Sequence, residues 1–412
     1  MNRIVLIGNG FDLAHGLKTS YKDFINWYWH EWGKRLLSGK GKVVTDGLCS
    51  FTLKDNINLA NWMYVWGHHY QRQNLLEPWN PNEVVNIAKE DKDLCDFTMC
   101  DFLRQICTSI DTKNWVDIEN EYYELLKRFA LKENDESIVE ELNNQLHILQ
   151  DKLVEYLSSV NKEEVKPVPG IKPAIYSPFN QSDISIGGMH ALEEHVKYGL
   201  KLDNKSWDIK IRQYESICYT KGYVDSYKEE NPDSEKIDWE CIPKELLLPN
   251  QIMLLNFNYT KTAELYCPND KYIFSINQIH GVLAKPESVI FGYGDEMDEK
   301  YKELEEKNDN HCLSNIKSIR YLEADNYRKV LSFIESEPYQ IIIMGHSCGN
   351  SDRTLLNTLF EHKNCISIKP YYHIWDDGSE NYLDIVQNIS RNFTDMKLMR
   401  DRVVNKTYCK TM

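Results

Sequence analysis

Short apolar runs punctuate the chain, and each stops at a polar or glycine-rich turn. Residues 4–7 run into Gly8-Asn9-Gly10, and residues 251–255 into Asn256-Phe257-Asn258-Tyr259-Thr260. Residues 272–279 end at His280-Gly281, residues 289–291 at a turn over 292–296, and residues 340–344 at Gly345-His346-Ser347-Cys348-Gly349. Runs this short, with no polar alternation, predict strands buried on both faces of a parallel sheet. Residues 366–375 predict a last core strand.

Helical spacing fills the intervals. Tyr21, Phe24, Ile25, Tyr28, Trp29 and Trp32 share a face, and Ser20 and Asp23 ahead of them have the spacing of a capping box. A face bearing Trp115, Ile118, Tyr122, Leu125 and Phe129 predicts a second helix. Residues 138–160 step by threes and fours and predict a third, paired with it through a loop at 132–136. Further helices are expected over 325–335, 351–360 and 382–393, and an aromatic-rich stretch covers 56–76. A proline-rich break at 166–173 and a charged loop at 228–236 interrupt a long middle region that reads as mostly helical.

Strand, polar turn and helix recur in that order. The fold class expected is therefore α/β: a Rossmann-like, mostly parallel sheet core from residues 1–30 and 246–412, with a large helical insertion, 31–245, as a lid or sensor. Ligands of such sheets sit beyond the carboxyl ends of the strands, where all five turns fall.

Composition narrows the partners. With 63 acidic against 48 basic residues the net charge is −15, which makes a nucleic-acid partner unlikely. The 11 cysteines include no Cys-x-x-Cys pair; Cys95 and Cys100 are read as helix neighbours or as buried free thiols. A reducing cytoplasm is expected, with no export signal and no segment long enough to cross a bilayer. His68-His69 and Asp376-Asp377 are adjacent pairs that point to different faces, so no metal is expected.

Three chemistries compete for the turns. Gly8-Asn9-Gly10 after a strand suits a dinucleotide loop, although Leu13 stands where Gly-x-Gly-x-x-Gly has its last glycine, and a tight turn before a core helix fits as well. No acidic residue ends a second strand about 20 residues on, as a dehydrogenase would require. Gly345-His346-Ser347-Cys348-Gly349 matches a nucleophile elbow with Ser347 as nucleophile, yet only His362 and His373 follow, and little sheet.

The stretch Gly8 to Leu17 with Thr19-Ser20-Tyr21, the turn 256–260, Ile279-His280-Gly281, the run from Gly345 to Ser351-Asp352, and Trp115 with Glu119 resemble in order the blocks of the AbiH family of phage abortive-infection proteins. That family is remotely similar to sirtuin-like domains of bacterial defence. The resemblance implies an anti-phage effector that binds NAD⁺ and hydrolyses its nicotinamide–ribose bond, with no zinc ribbon and hence no deacetylation. Asn258 and His280 are the implied catalytic residues. Gly8, Asn9, Gly10, Phe11, Asp12, Gly345 and Ser347 are the implied cofactor-binding ones, with NAD as substrate or ligand. His15 and His346 read as structural, and Glu119 as an acid on a helix face. The expected partners are NAD⁺ or a related nucleotide and a phage-derived or host protein as trigger, with self-association left open; a non-catalytic nucleotide-binding sensor is the alternative.

Overall fold

The computed structural model describes residues 1–38, 43–54, 80–93, 95–133, 135–160, 164–212, 214, 219–232, 237–268 and 273–412. The aromatic stretch 56–76, His68-His69 and parts of the loops at 132–136 and 228–236 lie outside them. The strands, in chain order, are β1 (Asn2–Ile7), β2 (Val43–Thr45), β3 (Cys49–Leu53), β4 (Cys95–Met99), β5 (Ile252–Asn256), β6 (Phe274–Gln278), β7 (Tyr339–Met344) and β8 (Cys365–Tyr371).

Five of them form one parallel sheet in the order β6-β5-β1-β7-β8. β1 lies at the centre: every residue in it is buried, and its apolar run Ile4 to Ile7 is stable only when both faces are covered. From β1 the chain builds outward to β5 and β6, then returns to the other side for β7 and β8. That reversal is the switch point beside which doubly wound sheets place their ligands.

Alternation along the strands sorts side chains into two cores. Val5, Ile7, Ile252, Leu254, Ile342 and Met344 face one way, against Tyr176, Leu192, Trp207 and Tyr214. Ile4, Leu6, Met253, Leu255, Ile341 and Ile343 face the other way, against Val330, Leu356, Phe360 and Ile389 from the helices Asn326–Ser336, Arg353–Glu361 and Tyr382–Arg391.

The chain divides into two compact units, and the sheet belongs to the first: residues 1–18, 161–301 and 316–412. The second comprises residues 19–160 and 302–315. In it the helix Tyr21–Leu37 starts at Ser20, whose hydroxyl accepts from the Asp23 amide as the capping spacing predicts. The helices Ile118–Lys127 and Glu136–Val160 are tied by Tyr122 donating to Asn143 Oδ1 at 2.6 Å. Among the described residues no helix is long and apolar enough to cross a membrane.

Several expectations are corrected. Residues 289–291 are buried but form no strand; the Ile290 amide donates to His280 O, a single crossing bond rather than a ladder. β8 stops at Tyr371, four residues early. Beside its helices the middle region, read as mostly helical, contains a small antiparallel sheet in the order β2-β3-β4. Cys95 lies buried in β4 and Cys100 caps the helix Asp101–Lys113, so they are not helix neighbours. Trp115 is 61% exposed and precedes its helix, whereas Glu119 is buried.

Candidate active site

Beyond Ile7 the backbone turns at Gly8 into a short helix, Asn9–Ala14. Beyond Met344 it turns at Gly345, whose φ of 71° is left-handed. These turns press on each other. A Cβ on Gly8 would lie 2.5 Å from His346 Cα, and one on Gly345 would lie 2.0 Å from the Phe11 nitrogen. The Gly8 amide donates to Met344 O (3.3 Å), Gly10 to Gly345 O (2.8 Å) and Phe11 to Gly8 O (2.9 Å). Three amides of the candidate dinucleotide loop are thus engaged within the protein. An anion there has to compete with the Met344 and Gly345 carbonyls.

Asn258 joins this corner from β5. Its backbone amide donates to Asn256 Oδ1 (3.0 Å), an Asx turn, and its side-chain Nδ2 donates to Gly8 O (2.9 Å). Asp12 is buried, and Thr260 donates to its Oδ2 at 2.6 Å. Burial pushes the Asp12 carboxyl above its ordinary value, with Thr260 acting in the opposite direction. Phe11 is fully buried between the rings of His15 (4.6 Å) and Tyr266 (5.6 Å). His15 bonds Phe11 O and Tyr266 Oη, a structural role. Asn9 is exposed.

A charged cluster closes the other side of the same turn. His280 Nε2 lies 3.2 Å from both Asp352 Oδ1 and Tyr321 Oη. Lys317 Nζ is 2.8 Å from Asp352 Oδ1, and His346 Nε2 is 3.6 Å from Oδ2. The Cys348 amide donates to His346 Nδ1 (3.0 Å), so that nitrogen carries no proton and Nε2 carries it toward Asp352. Phe257 lies against both imidazoles, 5.2 Å from His280 and 4.1 Å from His346. Exposure is 4% at His280, 5% at His346, 8% at Asp352 and zero at Lys317.

Electrostatics fixes the protonation. Burial alone would raise the Asp352 carboxyl, but Lys317 and His280 outweigh it and hold it well below the usual carboxylate range. Burial first, then the Lys317 ammonium, lowers His280. At neutral pH the cluster is a carboxylate and an ammonium with a neutral imidazole at position 280. His280 Nε2 faces Asp352 Oδ1 and Tyr321 Oη, and Nδ1 has no hydrogen-bonding partner among the described residues.

The expected turns are distributed as follows. Gly8, Gly10, Asp12, Asn258 and Gly345 meet at one corner, and His280 adjoins it through Phe257 and Tyr259, the neighbours of Asn258. The 292–296 turn is a buttress: Gly294 O accepts from the Thr354 amide, and Asp295 pairs with Arg353 at 3.1 Å. Ser347 is exposed, its carbonyl accepts from Asn388, and no histidine bonds its hydroxyl among the described residues. Asp352, Lys317, Tyr321 and the part played by His346 were not anticipated. Asp352 had a signal in the Ser351-Asp352 step after the glycine turn. Lys317 had none, since it reaches the cluster only because Ile316 bridges Tyr293. Among the described residues no group of three side chains forms a metal site.

No curated protein matches this sequence. The model of the family described as "Bacteriophage abortive infection AbiH" matches residues 4–373, from the first strand to just past the last, with every residue of the cluster inside it. The chain therefore belongs to the AbiH family of bacteriophage abortive-infection proteins.

Proposed function

We propose that this anti-phage protein acts through a nucleotide site at the carboxyl edge of the sheet, where it binds NAD⁺ and hydrolyses the nicotinamide–ribose bond. The observation that carries this reading is the pairing of His280 with Asp352, which orients an imidazole and leaves Nδ1 as a base. In the reaction the ribose C1′–nitrogen bond breaks and nicotinamide leaves with the electron pair. A water oxygen bonds C1′ and gives its proton to His280 Nδ1, with ADP-ribose as the other product. Cleavage passes through an oxocarbenium-like state, as in other glycosyl transfers. Asn258, anchored by its Nδ2 to Gly8 O, keeps Oδ1 available to a ribose hydroxyl. The five-strand order, shared with dinucleotide folds, supports the substrate class by analogy alone.

The test is incubation of the purified chain with NAD⁺, alone and with phage lysate, with nicotinamide quantified by mass spectrometry. Release that disappears in His280→Ala and persists in Ser347→Ala is expected. Absence of NAD⁺ loss in every condition overturns the reading. The closure of the cluster, with His280 and Lys317 buried, favours a second one, a nucleotide-binding sensor without catalysis. NAD⁺ binding and phage defence both intact in His280→Ala would establish it.

A further inference from the structure

Away from this corner, a cavity of about 570 Å³ lies over the face of β7 and β8 carrying Ile342 and Met344. Residues 169–174 and 407–412 wall it, and its volume is that of small-molecule sites. The sheet register sets its floor. Arg3, Gln340 and Ser367 share one row across β1, β7 and β8, Ile342 and Lys369 the next, Met344 and Tyr371 the third. Residues two apart on a strand share a face, so this face carries two cations.

Those two cations share one carboxylate. Lys369 Nζ lies 2.7 Å from Asp183 Oδ2, both side chains being buried. Arg3, also buried, donates to Gln340 Oε1 (2.8 Å) and Ser177 O in the cavity wall, but it forms no ion pair of its own. Burial lowers Arg3 only to about 10, so the guanidinium keeps its charge at neutral pH. Asp183 is the only acidic side chain in the wall, and its Oδ1 is sealed from the space. Lys410, on the outer wall, is exposed and screened by water. The three buried groups thus leave one positive charge uncompensated, which is costly. The polar groups offered to the cavity are donors. The Lys369 ammonium has three N–H bonds and one acceptor, and Tyr371 Oη has no hydrogen-bond partner among the described residues.

We infer that this cavity is a second ligand site, for a small monocarboxylate with an apolar body. Its carboxylate accepts from Lys369 Nζ and Tyr371 Oη, which stand two residues apart on one face of β8, and supplies the negative charge that Arg3 lacks. Ile342, Met344, Pro173 and Ala174 give the body apolar contact. One excess positive charge suits a monoanion, whereas a neutral guest leaves it uncompensated and a dianion overshoots it. The site is independent of His280 and of NAD⁺ chemistry.

Calorimetric titration of the full chain with octanoate, 4-phenylbutyrate and the neutral 4-phenylbutyramide tests this. Saturable binding of at least one carboxylate is expected. The amide should bind at least about tenfold more weakly than 4-phenylbutyrate, the size of a hydrogen bond to a charged group. Tyr371→Phe, which deletes only the hydroxyl, should weaken carboxylate binding about fivefold, the size of one ordinary hydrogen bond. Ala174→Phe, which narrows the cavity, and Arg3→Met, which removes the excess charge, should lose it, while His280→Ala should bind as the parent does. If Arg3→Met fails to melt cooperatively, the plug, Tyr371→Phe and the amide still decide. No saturable binding of either carboxylate at millimolar concentration, equal binding of the amide, or undiminished binding by Ala174→Phe or Tyr371→Phe each overturns the site.

Discussion

His280, just past β6, and Asp352, at the head of the helix that follows β7, meet at 3.2 Å beyond the strand ends. The contact spans the central strands β5 and β1. It exists only if the sheet has its observed order, so the cluster and the topology test each other.

Asp352→Asn removes the carboxylate that faces the buried Lys317 ammonium at 2.8 Å. Breaking a buried pair from one side costs about 3–5 kcal/mol, so the midpoint of urea unfolding should fall accordingly. A change under about 1 kcal/mol would mean that water reaches Lys317 freely.

Lys317→Met should raise the pKa of His280, because the ammonium is the largest charge opposing its protonation. An NMR titration of the imidazole signals reads this without reference to any activity. An unmoved or lowered value would defeat the electrostatic account.

Acid should destabilise the fold through its buried histidines. Burial lowers His280 and, more strongly, His195 below the ordinary imidazole value. Below about pH 6.5 the unfolded chain therefore binds protons that the folded chain refuses, and stability falls with pH by up to about 1.4 kcal/mol per unit for each group. Asp352 has a lowered pKa, so its contribution is present above about pH 4 and is lost only below. Melting temperatures at pH 5.5 and 7.5 check the sign. Equal values would show that both histidines protonate in place.

Gly345→Ala and Gly8→Ala should each be severely destabilising, beyond about 3 kcal/mol, since the new methyl would lie 2.0 Å and 2.5 Å from backbone atoms of the opposite turn. Gly16→Ala is the control. Its φ of 81° is also left-handed, but nothing lies within 4 Å, so the cost should be only about 1–2 kcal/mol of backbone strain. Similar urea midpoints for all three would refute the close approach.

Much of the sheet could be read from the residues, because β1, β5 and β7 each contain an apolar run of three or more residues that is buried throughout, which suits a doubly covered strand. Residues 289–291 show the limit of the argument: three apolar residues suit a buried crossing as well as a strand. β2, β3 and β4 were illegible because they are three to five residues long and β3 pairs with a strand far along the chain. His280 was legible as a polar residue closing an apolar run. Lys317 was not, because an ammonium in an irregular segment has no pattern, and its depth follows from a tertiary bridge. The apolar stripes of the helices between 171 and 230 fit any apolar face, so nothing in their spacing announces that they cover the sheet.

The joint between Gly10 and Gly345 has no side chain in it to compress or swing aside. A guest that drives the two loops apart must first sever the 2.8 Å bond from the Gly10 amide to Gly345 O, worth about 1 kcal/mol. The Gly8 amide's bond to Met344 O has to go as well, so parting the loops means breaking backbone bonds and not merely turning a side chain.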